Sequence, residues 1–133
     1  MFAWNEVNGT LNEIQNLPML PEKFTKPNLA ADIHLTPSGK FLYASNRGHD
    51  SLALYSVDPQ TGLLTFLSHV PTQGQIPRNF AIDPTGSYLV VANQISDTLV
   101  TFRIDPGNGH ITETGNITEV PRPVCVKIID LLA

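Results

Sequence analysis

The sequence has few charged residues, little positive charge, a single cysteine and no long apolar segment, and each shortage excludes a class of protein. Charged residues make up 15% of the 133 residues, and 8 Lys+Arg stand against 12 Asp+Glu. Without excess positive charge we expect neither a nucleic acid nor an anionic membrane as a partner. Cys125 alone cannot form an internal disulfide, and no segment approaches the roughly 20 apolar residues of a membrane span. With no signal sequence indicated either, we predict a cytoplasmic protein.

Proline and glycine, in contrast, are plentiful, with 11 and 9 residues. Both residue types favour turns and interrupt regular elements. We therefore expect many short elements and no long helix.

One segment of the chain repeats at a shift of 47 residues. Ten positions are identical between residues 37–65 and 84–112, where ordinary composition gives roughly two by chance. The identical pairs include Pro37 with Pro84, Asn46 with Asn93, Asp50 with Asp97, and Gly62 with Gly109. The chain therefore contains two copies of one structural unit.

Each copy contains four short apolar runs separated by turn residues. Runs rich in β-branched and aromatic residues, bounded by Pro, Gly, Asp and Asn, predict strands. Four strands at a period in the forties are typical of a β-propeller blade. A β-sandwich is the alternative, although sandwiches lack such a regular repeat. The predicted fold class is therefore all-β, a β-propeller fragment made of antiparallel four-stranded blades.

The ends of the chain match only parts of the repeat. We predict half a blade (strands three and four) with a linker at 1–28, complete blades at 29–75 and 76–122, and the first strand of a closing blade at 123–133. Propellers have four to eight blades of roughly 40–45 residues. We therefore expect an incomplete propeller domain, and self-association that completes the ring.

The loops on one side of the predicted propeller carry the polar residues suited to ligand binding. Arg47, His49, Arg78 and Asn79 lie where strand two joins strand three or one blade joins the next. Loops on a rigid scaffold commonly carry function, and two arginines at a channel mouth suit a phosphate or carboxylate. We predict that these four residues bind substrate; the alternative is that each arginine pairs with a neighbouring aspartate.

Asp32 and His34 are two apart on a predicted strand, so their side chains point the same way. A carboxylate beside an imidazole orients or activates a water molecule, and we predict both residues as catalytic. The alternative is a buried, hydrogen-bonded structural pair. His69 and His110 are expected at the surface. Because no His or Cys spacing fits zinc, no metal is predicted.

Residues that both copies keep are better explained by blade architecture than by chemistry. Asn46 with Asn93 and Asp50 with Asp97 are such pairs, and Asn and Asp commonly bond to the backbone of loops. Positions that differ between the copies, such as Arg47 against Gln94, are free to carry a site.

The stretch 30–51, AADIHLTPSGKFLYASNRGHDS, resembles the hallmark segment of the lactonase family of seven-bladed propellers. The stretch 77–86 is similar to the family's following blade. The resemblance covers essentially the whole chain but only the C-terminal third or so of a family member. The family includes cycloisomerase-type 6-phosphogluconolactonases and a carboxy-muconate lactonising enzyme.

The resemblance implies hydrolysis of a small anionic sugar lactone, 6-phosphogluconolactone to 6-phosphogluconate in the pentose phosphate pathway, without a metal or organic cofactor. It also implies that Arg47 is an active-site residue. The family's Pro-Arg-His segment and its glutamate lie on earlier blades and have no counterpart here. Pro77-Arg78-Asn79 has Asn where that segment has His, so it belongs to a different blade. A non-catalytic binding propeller, an inactive fragment and a muconate lactonising enzyme remain as alternatives.

Overall fold

The computed structural model describes residues 1–129, which form ten strands and no helix. No membrane-crossing helix is therefore found among these residues. The strands are β1 (Phe2–Asn5), β2 (Thr10–Glu13), β3 (Leu29–Leu35), β4 (Phe41–Arg47), β5 (Ser51–Val57), β6 (Leu64–Pro71), β7 (Pro77–Ile82), β8 (Tyr88–Asn93), β9 (Thr98–Ile104) and β10 (Ile111–Glu119).

The strands form two four-stranded sheets and one two-stranded sheet, all antiparallel. In the first blade the order is β3-β4-β5-β6, and in the second blade it is β7-β8-β9-β10, so each strand pairs with its neighbour in the chain. Strands β1 and β2 form the terminal pair. These meanders confirm the predicted all-β class and its antiparallel four-stranded blades.

The turns that close the outer two strands of each blade are built in the same way. Asp58 accepts hydrogen bonds from the backbone N–H groups of Gln60 and Thr61, and Asp105 accepts them at the equivalent turn. The bonds from Thr61 hold the pKa of Asp58 below its usual 3.8. Each turn ends on a glycine with φ of 72°, a conformation that other residues adopt only with strain.

The apolar core lies between the two blades. Tyr43 and Leu54 of the first blade are almost fully buried against a cluster that includes Phe80, Val91 and Phe102 of the second. The hydroxyl of Tyr43 donates a hydrogen bond to the carbonyl of Gly109, across the interface. Burial of this hydroxyl raises the pKa of Tyr43 above its usual value. The blades thus pack face to face, as in a propeller.

The terminal pair covers the other face of the first blade incompletely. A hollow of about 250 Å³ lies there, lined by Phe2, Met19, Ile33, Tyr55 and Leu64 among others. Trp4 is 63% exposed and Ile33 is 60% exposed. This outer face of the first blade therefore retains apolar surface.

Of the first strand predicted at 123–133, residues 130–133 lie outside the described residues, and residues 123–129 pair with no neighbour in a ladder. A first strand acquires its ladder from the second strand of its own blade, which the described residues do not include. The backbone N–H of Val126 nevertheless donates to Asn79 Oδ1 at 2.6 Å. The segment therefore lies alongside β7.

Candidate functional site

The first strand of each blade carries an irregularity at the same position of the repeat. Pairing of β3 with β4 shifts register between Ala30 and Ile33, and pairing of β7 with β8 shifts between Pro77 and Asn79. Such bulges turn side chains out of the regular alternation and are common beside functional sites. Here they fall at Asp32 and at Arg78, two of the residues predicted from the sequence.

Asp32 and His34 form a hydrogen-bonded pair, as their spacing predicts. His34 Nε2 lies 2.9 Å from Asp32 Oδ2, and their side chains are 39% and 21% exposed. The ring of His34 packs edge to face on Phe80 at 4.8 Å between centroids. Because the pair is open to solvent, it is accessible to a ligand or a water molecule.

The same carboxylate joins the two blades. Asp32 Oδ2 also accepts hydrogen bonds from Asn79 Nδ2 at 2.6 Å and from the backbone N–H of Phe80 at 3.2 Å. The other amide atom of Asn79, Oδ1, accepts from Val126 as described above. Both ends of the Asn79 amide are therefore occupied by contacts within the protein, whereas the sequence predicts a substrate-binding role for it.

Arg47 and Arg78 line one surface hollow of about 150 Å³, together with Ala30 and Ala31. Arg47, at the end of β4, donates from Nη2 to the carbonyl of Ala30 at 3.4 Å, while its Nε is buried without a partner among residues 1–129. Neither arginine forms an ion pair with a carboxylate in that range. The described residues therefore contain no pairing of either arginine with an aspartate, which was the alternative to a ligand-binding role.

His49 lies in a different environment from the arginines. Its ring packs edge to face on Phe24 and His69, and its Nδ1 is 2.6 Å from the hydroxyl of Ser51. Burial, and secondarily the neighbouring His69, lower the pKa of His49, while Asp50 raises it. The structure thus places His49 in an aromatic cluster between the linker (residues 14–28) and the first blade.

His69 belongs to that cluster too, and its predicted surface position is wrong. It is half-buried, and its Nε2 is 2.9 Å from the carbonyl oxygen of Met19. The strand pattern of β6 places it on the outermost strand, but the linker folds over that strand and covers the ring. His110 is exposed, as predicted.

The residues that both copies keep have the architectural role expected of them. Asn46 Nδ2 and Asn93 Nδ2 donate to the backbone carbonyls of Met19 and Thr72. Asp50 and Asp97 accept from the backbone N–H groups of Ile76 and Arg122, which lead into the next blade. These side chains therefore attach the loops of each blade to the segments that link it to its neighbours.

Asn28 was missed by the sequence reasoning. It is half-buried, and its side chain bonds to Asn46 and to the backbone of His49. An asparagine just before a strand resembles an ordinary turn residue, so only the fold reveals these contacts. Among residues 1–129, no group of three or more His, Cys, Asp or Glu side chains is arranged to hold a metal ion.

The architecture of antiparallel four-stranded blades is one that known proteins share. The chain belongs to the lactonase family of seven-bladed β-propellers, whose model, "Lactonase, 7-bladed beta-propeller", matches residues 1–128. This membership confirms the resemblance deduced from residues 30–51 and 77–86.

Among individual relatives, a 6-phosphogluconolactonase from Bacillus subtilis is 40% identical over 126 residues, which cover 95% of this chain and 36% of that protein. A 6-phosphogluconolactonase from Formosa agariphila is 54% identical over 55 residues, covering 40% of this chain and 16% of that protein. The chain thus spans about a third of the length of the Bacillus protein.

Solved structures also superimpose on this chain. A periplasmic gluconolactonase from Pseudomonas aeruginosa superimposes with a TM-score of 0.89 at 38% identity, covering 95% of this chain and 35% of that one. A protein from Lactobacillus plantarum superimposes with a TM-score of 0.91 at 32% identity, covering 97% of this chain and 38% of that one. Since one relative is periplasmic, the cytoplasmic location of this chain stays a prediction.

Proposed function

We propose that this chain is part of a lactone hydrolase that opens 6-phosphogluconolactone to 6-phosphogluconate. Family membership and the activity named for its bacterial relatives support this reaction. The observation that carries it is one hollow, in which Arg47 at the end of β4 and Arg78 of β7 meet Ala30 and Ala31 of β3, next in sequence to Asp32.

The arginines suit the anionic end of such a substrate. Two guanidinium groups keep their charge at any physiological pH, and their planar N–H donors match the oxygens of a phosphate. Arg78 is exposed and Arg47 is half-buried, so both are reachable from the hollow. Arg47 also supplies a donor that polarises the ester carbonyl as negative charge develops on its oxygen.

The Asp32–His34 pair suits activation of water. The carboxylate of Asp32 accepts a hydrogen bond from the Nε2–H group of His34, and this tautomer leaves Nδ1 unprotonated as the base. His34 Nδ1 removes a proton from water while the water oxygen attacks the carbonyl carbon. The protonated imidazole then returns the proton to the ring oxygen as the ester bond breaks, which gives a free hydroxyl and a carboxylic acid, and the acid loses its proton to solvent.

Hydrolysis of 6-phosphogluconolactone by the purified chain, corrected for spontaneous opening, tests this proposal. We expect Arg47→Ala to lower kcat/KM by about 10- to 100-fold, the cost of one charge-assisted hydrogen bond. Arg103→Ala, which removes an exposed arginine of β9, is the matched control and should leave the rate unchanged. Equal rates for Arg47→Ala and the unmodified chain would remove Arg47 from the mechanism, and a rate no faster than the spontaneous one would reject catalysis by this chain alone.

Self-association stays a prediction as well. Exposed Trp4 and Ile33 on one side, and Ile117 and Val124 on the other, leave apolar surface for a contact between copies. Native mass measurement in solution tests it, since a monomer of 14.6 kDa that unfolds cooperatively contradicts the expectation.

A further inference from the structure

Asn28 bonds to the residues on both sides of the Arg47–Gly48 dipeptide. Its Nδ2 donates to Asn46 Oδ1 at 3.0 Å, and its Oδ1 accepts from the backbone N–H of His49 at 3.0 Å. One amide therefore bridges the residue before Arg47 and the residue after Gly48. Since Asn46 is fully buried, the bridge is attached to a fixed point.

The backbone of the linker reinforces this contact. Gly48 has a φ of 126°, and a Cβ added there would lie 2.3 Å from the carbonyl oxygen of Pro27. Only glycine permits so close an approach. The loop that follows Arg47 therefore packs directly against Pro27 and Asn28.

The second copy of the repeat lacks both the bridge and the arginine. Gln75 occupies the position of Asn28, Gln94 that of Arg47, and Ile95 that of Gly48. There the Oδ1 of Asn93, the counterpart of Asn46, is buried without a partner among the described residues. The repeat therefore keeps the buried asparagine in both copies but satisfies its oxygen only in the copy that carries the arginine.

From this contrast we infer that Asn28 is a positioning residue that fixes the direction of Arg47 toward the anion of the substrate. The inference rests on the proposed role of Arg47. Arginine side chains have many rotamers, and holding one in place before binding removes part of the entropy cost of binding. Asn28 itself does not contact the ligand; it holds the end of β4 from which Arg47 projects.

Nuclear magnetic resonance tests the positioning itself, without activity. Arg47 Nε is buried, so its N–H should exchange slowly with solvent and be assigned by its disappearance in Arg47→Lys. We expect this slow exchange to be lost in Asn28→Ala and retained in Gln75→Ala, the matched variant of the second copy. Slow exchange that persists in a folded Asn28→Ala protein would overturn the inference.

Calorimetric titration with 6-phosphogluconate tests the consequence for binding. We expect Asn28→Ala to weaken binding by about three- to tenfold, the cost of ordering one long side chain, but to have no effect in the Arg47→Ala background. Equal weakening in both backgrounds would indicate a merely structural role and overturn the inference. If Asn28→Ala fails to fold, Asn28→Asp, which keeps the acceptor for His49 and loses the donor to Asn46, undergoes both measurements. If Arg47→Ala binds 6-phosphogluconate normally, the proposed role of Arg47 in anion binding fails, whereas the exchange measurement still decides the positioning.

Discussion

Replacing Asn79 with alanine should lower the stability of the contact between the blades. The change removes the 2.6 Å bond to the Asp32 carboxylate, worth about 1.5–3 kcal/mol as a charge-assisted bond, and the bond from Val126, worth about 1 kcal/mol. Because Asn79 is only half-buried, water replaces part of both contacts. We therefore expect the free energy of unfolding, measured with urea, to fall by about 2–3 kcal/mol.

The comparison with Asn79→Asp makes this measurement decisive. In Asn79→Asp a second carboxylate faces the Asp32 carboxylate at the position where Asn79 Nδ2 lies 2.6 Å from Asp32 Oδ2. Because the two negative charges repel each other, this change should destabilise the protein more than alanine does near neutral pH. Acidification should then recover part of the loss. An Asn79→Ala protein with unchanged stability and a raised KM for the lactone would refute this reasoning, and would establish instead the substrate-binding role predicted from the sequence.

Three further substitutions test the blades and the aromatic cluster. Tyr43→Phe leaves the buried carbonyl of Gly109 unpaired and should cost about 1–3 kcal/mol of unfolding free energy; an unchanged urea midpoint would contradict this. Gly109→Ala places a Cβ 2.5 Å from the ring of Phe41 and should cost about 1–3 kcal/mol more than Gly62→Ala, which has the same φ but open space; equal losses would mean that the contact is relieved without cost. Burial lowers the pKa of His49 in the folded protein from its usual 6.5. The free energy of unfolding should therefore be highest above pH 6.5 and should fall as the pH drops from 6.5 through the pKa of the folded state, because the unfolded chain binds the proton first. The unfolding temperature of His49→Gln should therefore fall less on acidification below pH 6.5 than that of the unmodified chain. The same dependence of unfolding temperature on pH in both proteins would exclude His49 as the titrating group.

The fold was predictable because its signal repeats. Each blade is built from local hairpins, so turn residues such as Asp58 and Gly62 determine both the strand ends and the pairing of neighbours. A second copy of the same pattern 47 residues later turns a weak local signal into a strong one. The segment 123–129 shows the limit, since strand propensity alone does not make a strand when none of the described residues pairs with it.

The candidate site was predictable only where neighbours in sequence are neighbours in space. The Asp32–His34 pair follows from the period of a strand, and the two arginines follow from the order of the loops. His49 and Asn28 depend on how the linker folds back over the first blade, a contact between segments with no periodic pattern. Sequence spacing contains no information on that path.

Comparison of the two blades separates the structural role of Asp32 from its chemical role. Asp32 Oδ2 accepts from the backbone of Phe80, and Asn79 Oδ1 accepts from the backbone of Val126 in the corresponding way, so the first strand of each blade is tied to the next by the same position. An amide oxygen accepts such a hydrogen bond as a carboxylate oxygen does, so the contact between blades alone does not require a charge at position 32. Only the first blade has a histidine two residues further on, where the second has Ala81. The negative charge of Asp32 therefore matters for His34, because a carboxylate polarises an imidazole more strongly than an amide does.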